Sequence, residues 1–210
     1  MMLIKDNSVV LFQGDSITDC GRNRAVSSDL GGGYPSLIAA MFSALYPEMN
    51  IKFINRGISG NRVKDLVNRW DEDCIKLNPT VVSILIGIND TWRRYDQNDP
   101  TSVEAFEKSY RDILTRTREK TKAEIILLEP FLLHTPEDRK AWREDLNPKI
   151  QVVRDLAREF GTLFVPLDGI FWHYSAYKPM EFWAPDGVHP SKEGHAVIAT
   201  AWMRAVGALR

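Results

Sequence analysis

Five short apolar runs, each separated from the next by room for a helix, constrain this chain more than any other feature. They are SVVLFQ at 8–13, IKFINR at 51–56, VVSILIG at 81–87, EIILLEP at 124–130 and LFVPLD at 163–168. Most are continuous rather than alternating, the pattern of strands covered on both faces, as in a parallel sheet. Helix-like segments fill the gaps at 34–46, 63–77, 103–121 and 138–160. A last one, at about 192–208, is entered through Pro190 and Ser191. Strand and helix alternating in this way predict an α/β sandwich with right-handed crossovers. The 210 residues show no internal repeat, linker or low-complexity tract, so one domain spanning 1–210 is expected.

Composition removes several classes of partner. A formal net charge of −1 gives no electrostatic reason to bind nucleic acid or an anionic membrane. No run approaches the roughly eighteen apolar residues of a membrane span. The first strand begins by Ser8, too early for a signal peptide to precede it. Two cysteines, Cys20 and Cys74, fit a reducing compartment. The expected location is the cytoplasm.

In open parallel sheets the working groups gather at the carboxyl ends of the strands, and here those exits are polar. The first run breaks off at Gly14-Asp15-Ser16, the second enters NRGISGNR, and the third enters GINDTWRR. The segment after the fifth reaches PDGVHPS. His189, one of four histidines, follows Asp186 by three residues, so one turn can set a carboxylate against an imidazole. The carboxylate would hold Nδ1–H, fix the tautomer and leave Nε2 to take a proton. Ser16, at a strand tip, suits the nucleophile that such a base activates. Ser59 in GISGN is a rival, but it misses the Gly-x-Ser-x-Gly elbow because position 61 is Asn. Negative charge on an attacked carbonyl could be met by the backbone N–H groups of Gly60 and Ser16 and the side-chain amide of Asn89. Taken singly, Gly60 is better explained as a turn and Asn89 as a helix cap. Their joint appearance at successive strand exits is the signal. Asp15, beside Ser16, reads as a carboxylate that stabilises the turn.

With these residues in place the chain resembles the SGNH (GDSL) hydrolases. Gly14-Asp15-Ser16, Ser59-Gly60-Asn61, Gly87-Ile88-Asn89-Asp90 and Asp186-Gly187-Val188-His189 are similar to the family's four blocks, in order, over nearly the whole chain. The resemblance implies a flavodoxin-like three-layer α/β/α sandwich and ester hydrolysis without metal or organic cofactor. It also implies Ser16 as nucleophile, His189 as base, Asp186 as its orienter, and Ser16, Gly60 and Asn89 as the oxyanion hole. LFQGDSITDCGR, NRGISGNRVKDL, IGINDTWRRYD and the stretch from Trp183 to His189 resemble the bacterial intracellular acetyl-xylan esterase branch. Arg62 departs from it, since small hydroxylated residues are common there. That departure bears on the pocket rim and the choice of substrate.

The expected substrate is therefore an acetylated xylo-oligosaccharide or related sugar, cleaved through an acetyl-enzyme. A thioesterase or lysophospholipase of the same fold, acting on longer acyl chains, is the alternative. TWRRYD and YSAYKPMEFWAPDGVHP read as aromatic-rich loops flanking the site, with Trp92 and Trp183 lining the acyl pocket. By default Arg56, Arg93 and Arg94 are surface charges or salt-bridge partners. Exposed aromatic loops also make a homo-oligomer a reasonable expectation. A phosphate loop in DLGGGYP at 29–35 is set aside, because no Gly-Lys-Ser/Thr follows the glycines.

Overall fold

All five apolar runs become strands of one sheet. In the computed structural model, which describes residues 2–209, β1 is Val9–Gly14, β2 Lys52–Asn55, β3 Val81–Leu85, β4 Glu124–Leu128 and β5 Leu163–Val165. Every pairing is parallel and the order is β2-β1-β3-β4-β5. Successive strand residues point to opposite faces, and both faces are covered. Val10, Phe12, Val81, Leu85, Ile126 and Leu128 enter one core; Leu11, Val82, Ile84, Ile125 and Leu127 enter the other. Two buried faces are the physical reason the runs are continuous.

On the first face α2 (Tyr34–Leu45) packs against α9 (Lys192–Ala205), with α7 (Leu167–Ser175) and α8 (Met180–Trp183) beside them. The second face carries α3 (Val63–Asp73), α5 (Val103–Lys120) and α6 (Arg143–Phe160). Large side chains anchor both layers, each worth about 1.5–3 kcal/mol when fully buried. The two buried indoles find partners: Trp202 Nε1–H donates to Ser83 Oγ and Trp70 Nε1–H to Thr117 Oγ1, both at 3.0 Å.

Three departures from the sequence reading concern the site. TWRRYD is not a loop: it lies in helix α4, Ile88–Asp96. Ile88, Trp92 and Tyr95 recur at helical spacing on one face and pack into the first core, and on the outer side Arg94 is paired to Glu144 and Asp145. The aromatic stretch before His189 likewise contains the end of α7 and all of α8. A four-residue helix, α1 (Ser16–Asp19), opens directly after β1. The fourth helix-like segment divides into a 3₁₀ turn, Glu137–Trp142, and α6.

After β1 the chain goes first to β2 on one side and later to β3 on the other. The reversal leaves a crevice between the carboxyl ends of β1 and β3, the usual ligand position in sheets of this order.

Candidate active site

Gly14 closes β1 in a crowded place, where a Cβ would overlap the Thr18 hydroxyl and the Leu85 carbonyl. Asp15 then caps α1, its Oδ1 accepting the Ile17 N–H at 3.0 Å, and Ser16 is the first helical residue. Burial pushes the Asp15 carboxyl up to about 7, against the hydrogen bond from Ile17 and the charge of His189. Asp15 thus stands where a turn-stabilising carboxylate was expected.

The structure brings together three groups that the sequence holds far apart. Ser16 Oγ lies 2.9 Å from His189 Nε2, and His189 Nδ1 lies 2.6 Å from Asp186 Oδ2. Asp186 Oδ1 accepts the backbone N–H groups of Val188 (3.0 Å) and His189 (2.7 Å). An ionised carboxylate only accepts, so Nδ1 carries the imidazole proton and Nε2 presents its lone pair to the serine. Burial raises the Asp186 pKa, but the three bonds from His189 and Val188 outweigh it and bring the carboxyl down to about 2. The bond to Asp186 raises the His189 pKa above its ordinary value; burial opposes this, and the charges of Asp186 and Asp15 reinforce it.

The residues expected to meet an oxyanion are tied together by hydrogen bonds. Gly60 adopts φ +83°, a left-handed conformation that favours glycine, in a turn where Asn61 N–H donates to the Ile58 carbonyl at 3.1 Å. Asn89, only 3% exposed, donates from Nδ2 to the Asn61 carbonyl at 3.1 Å. It sits two residues past Gly87, the cap of α4, rather than capping the helix itself. Its neighbour Asp90 accepts the Val63 N–H at the start of α3 through Oδ2 (3.0 Å). The other Asp90 oxygen has no partner among the described residues, and burial pushes its carboxyl up to about 7. Two successive α4 side chains therefore clip the Gly60 turn to the exit of β3.

Ser59 is otherwise occupied. Its hydroxyl donates to Asp19 Oδ2 at 3.2 Å and its backbone N–H to the same oxygen at 2.9 Å. Among the other histidines, His195 packs close to the site. Its Nδ1 accepts the Tyr34 N–H at 3.2 Å, and its Nε2 faces Cys20 Sγ at 3.5 Å. Burial first, then the charge of His189, brings His195 down to about 4, so it stays neutral near pH 7.

The two tryptophans part company. The Trp92 ring stands 5.7 Å from the His189 ring, centroid to centroid. Trp183 is 9% exposed and belongs to the core. Its ring lies between Tyr174 and Phe182, and its Nε1–H donates to the Tyr174 carbonyl at 3.1 Å. Trp183, the other residue expected at the acyl pocket, thus gives most of its ring to the core, and α8 carries it just ahead of the turn that holds Asp186. Arg62, directly after the Gly60–Asn61 turn, is tied down by Asp99, whose carboxylate accepts from its Nη2 at 2.7 Å. Arg93 and Arg94 ride on α4, each paired with a carboxylate.

Sequence reasoning missed Arg139 and Trp142. The Arg139 guanidinium lies 4.0 Å from the Trp142 ring and 5.3 Å from Trp92, and Nε–H donates to the Asp186 carbonyl at 3.4 Å. EDRKAW reads only as a helix start, so no local signal marks either residue. Among the described residues no group of three or more His, Cys, Asp and Glu side chains is arranged to hold a metal ion.

A parallel sheet with a serine, histidine and carboxylate hydrogen-bonded in line at its switch point has the layout of an ester-hydrolase site. A family model described as GDSL-like lipase/acylhydrolase matches residues 12–197, and the chain belongs to that family. An acetylxylan esterase from Geobacillus stearothermophilus is 38% identical, over 98% of this chain and 97% of the relative. The crystal structure of Axe2, an acetylxylan esterase from the same organism, superposes with a TM-score of 0.88 at 37% identity, covering 98% of this chain and 97% of that one. A putative GDSL-like lipase from Parabacteroides merdae superposes with a TM-score of 0.93 at 37% identity, covering 98% of each chain. The protein is a carboxylic ester hydrolase of the SGNH type.

Proposed function

We propose that this enzyme removes acetyl groups from acetylated xylo-oligosaccharides or related small sugars through an acetyl-enzyme. The observation that carries the reading is the line Ser16–His189–Asp186, closed by bonds of 2.9 and 2.6 Å. His189 takes the Ser16 proton as Oγ attacks the acetyl carbonyl. The oxyanion is met by the backbone N–H groups of Ser16 and Gly60 and by Asn89, which spends one amide hydrogen on Asn61 and has a second to offer. Collapse returns the proton from His189 to the departing sugar hydroxyl. Water, deprotonated by the same imidazole, then releases acetate and restores Ser16.

Similarity to the Geobacillus acetylxylan esterase supports an acetylated saccharide as substrate. So does the wall beside His189, where Trp92 is backed by Arg139 and Trp142, an aromatic and charged surface rather than an aliphatic one. In this reading the chain is one catalytic domain. Two free thiols, Cys20 and Cys74, support a cytoplasmic site of action, and among the described residues no helix is long and apolar enough to cross a membrane.

The test is acetate release from acetylated xylo-oligosaccharides against acetylated glucose, cellobiose and mannose, with a p-nitrophenyl ester series from acetyl to octanoyl. The expected outcome is an acetyl optimum with xylo-oligosaccharides preferred. An octanoyl optimum would favour a thioesterase or lysophospholipase instead.

The protonation of His189 sets the pH response. The base works only when neutral, and its raised pKa keeps it protonated to a higher pH than an ordinary histidine. Activity therefore climbs as pH rises, and the acidic limb of kcat/KM should have its midpoint above about 6.5. A pH–rate profile that is flat between pH 5 and 8, or centred well below 6.5, would contradict this role.

A further inference from the structure

We infer that Arg69 is a positioning residue for the oxyanion site, joining the carboxyl ends of β1 and β2 to the Gly60–Asn61 turn. This rests on the proposed esterase reading.

Arg69 sits in α3, its side chain 14% exposed, between the buried anchors Leu66 and Trp70. Its guanidinium reaches the exits of β1 and β2 and the Gly60–Asn61 turn. Nη2 donates to the carbonyl of Gly14, the last residue of β1, at 3.3 Å. The two hydrogens of Nη1 are shared among three acceptors, the Arg56 carbonyl just past β2 (2.8 Å), Gln13 Oε1 (3.0 Å) and Asp73 Oδ2 (3.0 Å). Nε donates to Asn61 Oδ1 at 2.9 Å. Gln13, fully buried, returns a bond from Nε2 to the Asp73 carbonyl at 2.7 Å, so the acceptors are themselves held.

Asn61 is the joint of this network. Its side-chain oxygen takes Arg69 Nε, and its backbone oxygen takes Asn89 Nδ2. It directly follows Gly60, so Arg69 acts on one residue that is bonded to the first proposed donor through the chain and to the second through a hydrogen bond. The Gly14 carbonyl is a second joint: it accepts both Arg69 and the Ile58 N–H (3.1 Å), two residues before Ser16. A planar fork can serve acceptors on three segments at once, whereas the compact ammonium of lysine cannot span them. The need for such a brace is chemical. The hole must keep its shape when the carbonyl becomes an oxyanion, and donors that shift by about 1 Å can cost roughly a hundredfold in rate.

The experiment compares Arg69→Lys, Asn61→Ala and the double variant with the native enzyme on p-nitrophenyl acetate. For Arg69→Lys, kcat is expected to fall about a hundredfold with KM unchanged. Affinity for an alkyl boronic acid, whose serine adduct is tetrahedral, should fall in parallel. Asn61→Ala should lower kcat about tenfold by itself and add little in the Arg69→Lys background, since the two act through one contact. A merely structural role would lower Tm and spare kcat, or would raise KM together with the kcat loss, and either result overturns the inference. If Arg69→Lys does not fold, Asn61→Ala, which leaves the other Arg69 bonds in place, decides: an unchanged kcat overturns the inference. Labelling by a fluorophosphonate separates the two levels. No label on Ser16 of the native enzyme defeats the esterase reading itself. Normal labelling there, with equal rates in Arg69→Lys, defeats only the role of Arg69.

Discussion

Ser16→Ala is expected to lower kcat for acetyl esters by about 10⁵-fold or more while the protein stays folded. The oxygen removed is the one that His189 Nε2 faces at 2.9 Å, and among the described residues no other hydroxyl is hydrogen-bonded to that nitrogen. Ser59, the rival in the neighbouring turn, gives its hydroxyl to Asp19, a carboxylate already paired with Arg24. Ser59→Ala should accordingly leave turnover within the same order of magnitude. Folding of Ser16→Ala is safe on physical grounds, because the α1 cap is made by Asp15 and does not involve the serine side chain. Steady-state turnover of both variants, with melting curves, checks this. A Ser16→Ala enzyme that keeps more than about 1% of native turnover would place the nucleophile elsewhere.

Asp186→Asn is expected to cost about 10⁴-fold in kcat with little change in geometry. The reason lies in how the carboxylate is shared. Its Oδ1 accepts the Val188 and His189 backbone N–H groups, so an asparagine must put its oxygen there to keep the turn. Its NH2 group then faces His189 Nδ1, where the native Oδ2 accepts at 2.6 Å. Two donors cannot meet, so the imidazole changes tautomer: Nδ1 becomes the acceptor and Nε2 gains the proton. The histidine then has no lone pair for Ser16. Retention of native-like turnover at pH 8, within about tenfold, would mean that Asp186 does not set the tautomer.

How far the sequence exposes this protein differs between its apolar and its polar residues. All five strands fall on the runs read as strands, with β1 reaching one residue further to Gly14, because continuous hydrophobicity is a local consequence of being covered on two faces. Helix α4 is short and mostly polar, so the apolar stripe of Ile88, Trp92 and Tyr95 is easily passed over beside the site residues it carries; Trp92, Asn89 and Asp90 each face a different tertiary partner. The burial of Trp183 is not legible in the sequence, because an aromatic residue three positions from Asp186 looks the same whether it faces a ligand or the core. Arg69 left no signal, since one arginine in an amphipathic helix is ordinarily a surface charge.

What the sequence determined by itself is the strand and helix order and the four polar exits, since each is written in adjacent residues. What only the tertiary structure decided is which atoms meet. Ser16 and His189 are 173 positions apart, and they touch because the β2-β1-β3 order brings the carboxyl ends of nonadjacent segments to one crevice. Hydrogen bonds of 2.6 to 3.3 Å depend on that convergence, whereas hydrophobic burial depends only on which face a residue takes.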